Sequence, residues 1–277
     1  MNKIKVMVNG VPGNVAVNVA THIINEPDME LVPYSLTGPD ITEDKHTVNG
    51  VNLKLVKLDE RDSLIDSIKK DHGDFLTVDY THPTAVNING DFYIKNKLPF
   101  VMGTTGGDRE LLKNSVKNSD ISAIIAPNMA KQIVGFQAMM EMAAKNFPGL
   151  FDGYDLTVVE SHQQGKADTS GTAKAVIREF KNLGTSFDEN EDLLMERDPE
   201  VQKNQWNIPE EHLGGHGWHT YTLDSKEKDV RFSFTHNING RDIYSKGTMD
   251  GLKYLHGKRD KKGHVFTMID VLKNKEL

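Results

Sequence analysis

Lys3-Ile-Lys-Val-Met-Val-Asn-Gly-Val-Pro-Gly-Asn-Val-Ala16 is the stretch that decides the fold. Residues 3–8 form a short apolar run that reads as a β-strand. Beyond the glycines, Val15, Val19 and Ile23 recur four apart, a helical spacing that stops near Pro27. Between strand and helix lies Gly10-Val-Pro-Gly13-Asn-Val-Ala16, a G-x-x-G-x-x-A variant of the dinucleotide fingerprint. The first glycine permits a tight turn, Gly13 lets a pyrophosphate approach the backbone, and Ala16 is small enough for helix–strand packing. The helix N-terminus favours the anion. Pro12, Asn14 and Val15 complete this loop and are cofactor-binding candidates with it. The plain alternative is an ordinary βα turn; the strand–turn–helix context favours a nucleotide.

Working outward, strand and helix signals alternate through the first half. Residues 29–36 read as a second strand. Leu64, Ile65 and Ile68 mark a short amphipathic helix. Residues 75–79 and 100–102 read as buried strands, with a helix starting near Thr84 between them. Residues 122–126 read as another strand, followed by a long helix over 131–147. Such alternation implies an α/β fold, a Rossmann-like doubly wound parallel sheet. After Pro148-Gly149 the character changes to α+β. Residues 156–160 and 230–236 read as strands. A helix over 173–183 lies between them, closed by Gly184. Residues 185–213 are polar and Pro-interrupted, as in a long surface excursion. A last helix spans about 241–255.

In open α/β sheets, ligands bind at the carboxyl ends of the strands. The second strand ends at Thr37-Gly38 with no carboxylate before Asp40, so a 2′-phosphate would meet no repulsion there. Both NADPH and NADH are therefore expected to serve, with Thr37 at the ribose end. Tyr80 and Thr81, in Asp79-Tyr-Thr-His-Pro83, occupy a second strand end. Gly103, Thr104 and Thr105, in Gly103-Thr-Thr-Gly-Gly107, occupy a third. Pro127, Asn128 and Met129 precede the long helix and can place an amide near the nicotinamide. Each could be a simple turn by itself, but five small residues after a buried strand suggest close approach of a ring.

Composition bounds the rest. The chain has 277 residues, 37% of them hydrophobic and 26% charged, which suits a globular protein of two domains or one large one. No apolar run approaches the roughly 20 residues of a spanning helix. The first residues show neither an apolar core nor an Arg/Ser-rich leader, so a cytoplasmic protein without membrane association is expected. A net charge of −7 argues against general nucleic-acid binding, though not against a local basic pocket for an anionic substrate. The absence of cysteine excludes disulfides, thiolate metal sites and thioester chemistry. No metal is expected.

The densest chemistry lies in Glu160-Ser-His162-Gln-Gln-Gly-Lys166-Ala-Asp168-Thr-Ser170-Gly171-Thr172-Ala173, between a strand and an amphipathic helix. Ser170, Gly171 and Thr172 at the helix start offer backbone N–H groups and hydroxyls for a carboxylate. His162 can donate a proton near neutral pH. Lys166 can hold a carboxylate or a developing charge. The plain reading makes Thr169 or Ser170 a helix cap and His162 a surface residue; the combination favours chemistry.

These segments together resemble the dihydrodipicolinate reductase family, in particular its plant-type branch. Matching stretches run in order along nearly the whole chain: the Gly10 loop, Val78-Asp-Tyr-Thr-His-Pro83, Phe100-Val-Met-Gly-Thr-Thr-Gly-Gly-Asp108 and Glu160-Ser-His-Gln163. They continue with Asp168-Thr-Ser-Gly-Thr-Ala-Lys-Ala-Val176, Pro209-Glu-Glu-His212, His236-Asn237, Gly240-Arg241 and Met268-Ile-Asp-Val-Leu272. The resemblance implies NAD(P)H-dependent reduction of 4-hydroxy-tetrahydrodipicolinate, a small dicarboxylate, in lysine biosynthesis. It implies a dinucleotide-binding domain of 1–130 with 241–277, a substrate-binding and oligomerisation domain of 131–240, and a homotetramer or homodimer. By position it makes His162 the proton donor, Lys166 the catalytic lysine and Ser170–Thr172 the carboxylate loop, with Arg241 a further substrate contact. Gln163 stands where many bacterial members carry a second histidine. Asn14 stands where a basic residue is usual, which weakens any strong NADPH preference. Two rivals remain from the residues alone. One is a related dehydrogenase of a sugar or amino acid, the other a non-catalytic nucleotide-sensing regulator.

Overall fold

The computed structural model describes residues 3–274. The chain divides into two compact units, one of the residues up to Lys131 with those from Asp242 on, the other Gln132–Arg241. No described helix is long and apolar enough to cross a membrane.

In the first unit, β1 (Ile4–Asn9) leads into α1 (Asn14–Asn25), whose Ala16, Val19, Ala20 and Ile23 form its buried stripe. The expected second strand is two strands, β2 (Met29–Leu31) and β3 (Tyr34–Leu36), separated at Pro33. Proline has no N–H to continue a ladder. β2 pairs with β1, whereas β3 pairs in parallel with β5 (Val51–Val56), which forms a hairpin with β4 (Lys45–Val48). α2 (Arg61–His72), β6 (Leu76–Asp79), α3 (Val86–Lys95), β7 (Phe100–Met102), α4 (Arg109–Lys117) and β8 (Ala123–Ile125) follow. α5 (Lys131–Asn146) then carries the chain into the second unit.

The second unit is built on β9 (Tyr154–His162) and α6 (Gly171–Asn182). Its polar 185–213 stretch is more ordered than a surface excursion: β10 (Leu193–Glu196) pairs in parallel with β9, and α7 (Pro199–Asn204) follows. β11 (His216–Ser225) and β12 (Arg231–Asn239) complete a four-stranded sheet of order β10-β9-β11-β12. α5 and α6 cover one face, with Met140, Val176 and Phe180 packed on Leu156, Val158, Tyr221 and Leu223.

α8 (Asp242–Gly257), β13 (Val265–Phe266) and α9 (Met268–Lys273) belong to the first unit. β13 adds the last strand to an all-parallel sheet of order β13-β8-β7-β6-β1-β2, and α8 packs on α1. Strand order reverses at β1, the switch point where a Rossmann-like sheet opens a ligand crevice.

Candidate active site

Each unit gathers one group of candidate residues. In the first, Gly10 follows β1 with φ +105°, and a Cβ there would collide with the Tyr80 carbonyl. Only glycine lets the turns after β1 and β6 lie this close. Gly13 is the N-cap of α1 and supplies no side-chain cap, so the first N–H groups of the helix lack a side-chain acceptor. An anion suits that position. Asn14 is exposed there, with Pro12 and Val15 half-buried. The Gly10 N–H donates to the Leu36 carbonyl at 2.9 Å and the Thr37 hydroxyl to the Val11 carbonyl at 3.1 Å, which ties the end of β3 to this loop.

A buried carboxylate organises the neighbouring turns. Asp79, fully buried at the end of β6, accepts through Oδ1 from the Thr81 N–H (3.1 Å), the Thr81 hydroxyl (2.7 Å) and the Thr104 hydroxyl (2.6 Å). Its Oδ2 accepts from the Tyr93 hydroxyl at 2.7 Å and Asn89 Nδ2 at 2.9 Å. Burial, and then the Asp79 charge, push the Tyr93 hydroxyl well above its ordinary pKa, so it stays a donor. The Gly103 and Thr104 N–H groups both donate to the Asp79 carbonyl at 3.0 Å. Tyr80 is anchored through its hydroxyl to Thr248 at 2.7 Å. Thr105 and Pro127 are exposed, and Asn128 Oδ1 accepts from the Ala130 N–H at 2.9 Å. The Met129 side chain is buried, which leaves only its backbone to a ligand. All these loops follow the carboxyl ends of parallel strands, and their uncapped helix and glycine turn fit a dinucleotide.

In the second unit, His162 closes β9 and is buried, not a surface residue. Its Nδ1 lies 3.6 Å from Oε1 of Glu160, two residues back on the same face of the strand. Glu160 is fully buried. Arg197 Nη2 donates to Glu160 Oε1 at 2.5 Å, the Ser170 N–H donates to Oε2 at 3.1 Å, and His219 Nε2 stands 3.6 Å from Oε2. Burial alone would raise the Glu160 pKa. The two imidazoles, Arg197 and the Ser170 N–H outweigh it and hold the carboxyl well below the usual range. Burial pushes His219 and His216 below the ordinary imidazole value.

Ser170 is the N-cap of α6: its Oγ accepts from the Ala173 N–H at 3.0 Å and pairs with His219 Nε2 at 2.9 Å. With its N–H on Glu160, both of its polar groups are committed. The Gly171 and Thr172 N–H groups have no acceptor among the described residues. They are the donors left for a carboxylate. Lys166 pairs with exposed Asp168 at 2.6 Å, a contact an incoming anion can replace. Arg241 lies over Gly215, where a Cβ would stand 3.1 Å from its Nη1. Glu160, His162 and His219 offer ligand atoms within 4.8 Å of one another, but Arg197 already supplies the positive charge on that carboxylate.

The family models for the N-terminus and the C-terminus of dihydrodipicolinate reductase match residues 4–129 and 133–272. The chain belongs to the dihydrodipicolinate reductase family. It is 44% identical over 271 residues to the probable 4-hydroxy-tetrahydrodipicolinate reductase 2, chloroplastic, of Oryza sativa, covering 97% of this chain and 82% of that protein. It is 42% identical to the chloroplastic 4-hydroxy-tetrahydrodipicolinate reductase 1 of Arabidopsis thaliana, covering 98% and 78%. The fold is shared with a dipicolinate-bound dihydrodipicolinate reductase from Paenisporosarcina sp. TG-14 at TM-score 0.64 and 20% identity, covering 96% of this chain and 97% of that one.

The sequence reading did not single out Glu160, Arg197 and His219, which the fold brings together with His162 and Ser170. Glu160 was discoverable from its i, i+2 spacing to His162. Arg197 and His219 arrive from distant segments with no local pattern.

Proposed function

We propose that this chain reduces 4-hydroxy-tetrahydrodipicolinate to tetrahydrodipicolinate with NADPH or NADH, a step of diaminopimelate and lysine biosynthesis. The observation that carries it is identity of 42–44% over nearly the whole chain to reductases of that name. The loops after β1, β3, β6, β7 and β8 hold the nucleotide: Gly10, Pro12, Gly13, Asn14, Val15, Thr37, Tyr80, Thr81, Gly103, Thr104, Thr105, Pro127, Asn128 and Met129. The nicotinamide, when bound, supplies the hydride. In the second unit the Gly171 and Thr172 N–H groups grip one carboxylate at the start of α6, with Ser170 fixing the turn. Lys166 and Arg241 balance the dianion, and His162 donates the proton. A neutral sugar would use neither the open N–H pair nor the lysine, which disfavours a sugar dehydrogenase.

A homodimer or homotetramer is part of this reading. The sheet face opposite α5 and α6 carries Thr220 and Thr222 half-buried, with Ser233 and Thr235 exposed. Such a face can accept a second copy, and light scattering across concentrations reads the assembly. The rice and Arabidopsis relatives are named chloroplastic. Imaging of the tagged protein in its own cells decides the compartment. Activity is tested by following NADPH and NADH oxidation with enzymatically generated substrate and without it. Substrate-dependent oxidation with both is expected; none with either sinks the proposal.

A further inference from the structure

Burying a charged carboxylate is expensive unless every lone pair is used. Glu160 is fully buried and ionised, yet the fold alone has no evident need of it: neighbouring inward positions on β9 are Val158 and Leu156. Its contacts all lead to candidate site residues. Oε1 faces His162 Nδ1 and receives Arg197; Oε2 receives the Ser170 N–H and faces His219, which in turn pairs with Ser170 Oγ. Arg197 Nε donates to the Lys166 carbonyl at 2.9 Å, so the backbone under the lysine hangs on the same pair. The strand end, the 163–169 loop and the start of α6 therefore meet at one carboxylate.

We propose that Glu160 is the positioning residue of this reductase, holding the proton donor His162 and the carboxylate-gripping turn of α6 in one frame. The inference rests on the function proposed above. It also assigns the atom that gives the proton. Nδ1 of His162 lies 3.6 Å from Glu160 Oε1 and makes no hydrogen bond with another described residue, so the carboxylate is its nearest charged neighbour, while Nε2 lies over Gly217, where even a Cβ would stand no closer than 3.5 Å. The Nε2–H bond breaks and its proton passes to the substrate. The imidazole is left neutral with hydrogen on Nδ1, pointing at the carboxylate. Solvent restores the Nε2 proton.

The test uses Glu160→Gln and Glu160→Asp in the full chain. Glutamine keeps the shape but loses the charge; aspartate keeps the charge one methylene shorter. Glu160→Gln is expected to lower kcat about 10²-fold and to raise the dicarboxylate KM several-fold, with the NADPH KM unchanged. Glu160→Asp should recover part of kcat. In ¹⁵N-histidine NMR, the wild type should show His162 as the Nδ1–H tautomer at alkaline pH, and Glu160→Gln should lose that preference. A purely structural role would lower Tm in both variants but leave kcat per folded molecule and the tautomer as they are, which overturns the proposal. If Glu160→Gln does not fold, Glu160→Asp decides by the same kcat and tautomer readings. If wild type fails to turn over while the tautomer tracks Glu160, the function is wrong and the positioning stands.

Discussion

His162 and Lys166 differ in how they should fail when removed. General acid catalysis is worth about 10²–10⁴-fold. His162→Ala should lower kcat by that order with little change in dicarboxylate KM, because the open N–H pair of α6 remains. Lys166→Ala should raise KM, with kcat falling only to the extent that the ammonium steadies charge developing in the transition state. Steady-state kinetics with melting temperatures checks both, and near-normal kcat/KM in the two variants would remove them from the site. His236 gives a pH prediction. Its ring stacks on His219 at 4.7 Å and neither nitrogen has a hydrogen-bond partner among the described residues. Burial, and then the nearby His219 and His162, push its pKa from 6.5 down to about 4. Above pH 6.5 both folded and unfolded forms are neutral, so the stability is intact. As pH falls from 6.5 towards about 4 the unfolded chain takes the proton first and stability declines, levelling off below. His216 and His219 shift in the same direction. Tm against pH should drop through that window, and His236→Phe should flatten the drop; an unchanged slope would contradict it. At this scale the Ser170 cap was legible from the sequence, and His162 and Lys166 stood out because they lie close to it along the chain. Arg197 and His219 were invisible because strand pairing and an ion pair across 37 residues place them.

Elements built from local signals were legible: the turn–helix after β1, the buried strands β6 and β7, and the α5 and α6 stripes. The β4–β5 hairpin was missed although Asn49-Gly50 marks a two-residue turn, with φ of +46° and +81°. β3 was fused to β2 because an apolar run conceals a change of partner. β11 was missed although His219, Tyr221 and Leu223 alternate inward, since glycine and histidine at its start mask the pattern. What binds these elements into a working loop cluster is Asp79, a position no periodicity singles out. Five donor groups converge on its side chain. Asp79→Asn puts an amide NH₂ against donors and should cost about 1–3 kcal/mol. The expected outcome is a lower Tm and weaker NADPH binding by calorimetry, with an unchanged dicarboxylate KM. Wild-type NADPH affinity would show that the 80–81 and 103–105 turns take no part in holding the nucleotide.

For the molecule as a whole, the assignment of the nucleotide to the first unit has a thermodynamic consequence. At about 100 times its Kd, NADPH should stabilise the unit that binds it by about 2.7 kcal/mol. Hydrogen exchange should then slow in the turns at 10–15, 80–81 and 103–105 and in α8, which packs on α1, more than across 154–162 and 216–225. The opposite pattern would move the nucleotide to the second unit. That first unit is discontinuous, closed only when β13 adds to β8 and α8 docks with its Asn18–Asp242 and Glu26–Lys253 contacts. The second unit is one uninterrupted segment. On the ribosome, residues 132–241 therefore emerge complete and free to fold while the nucleotide half still lacks its final strand. A nascent chain stalled before residue 242 would carry a formed dicarboxylate turn beside an unfinished sheet, with the edge of β8 bare. NADPH binding is thus expected to follow the pairing of β13 with β8, after residues 132–241 are already made.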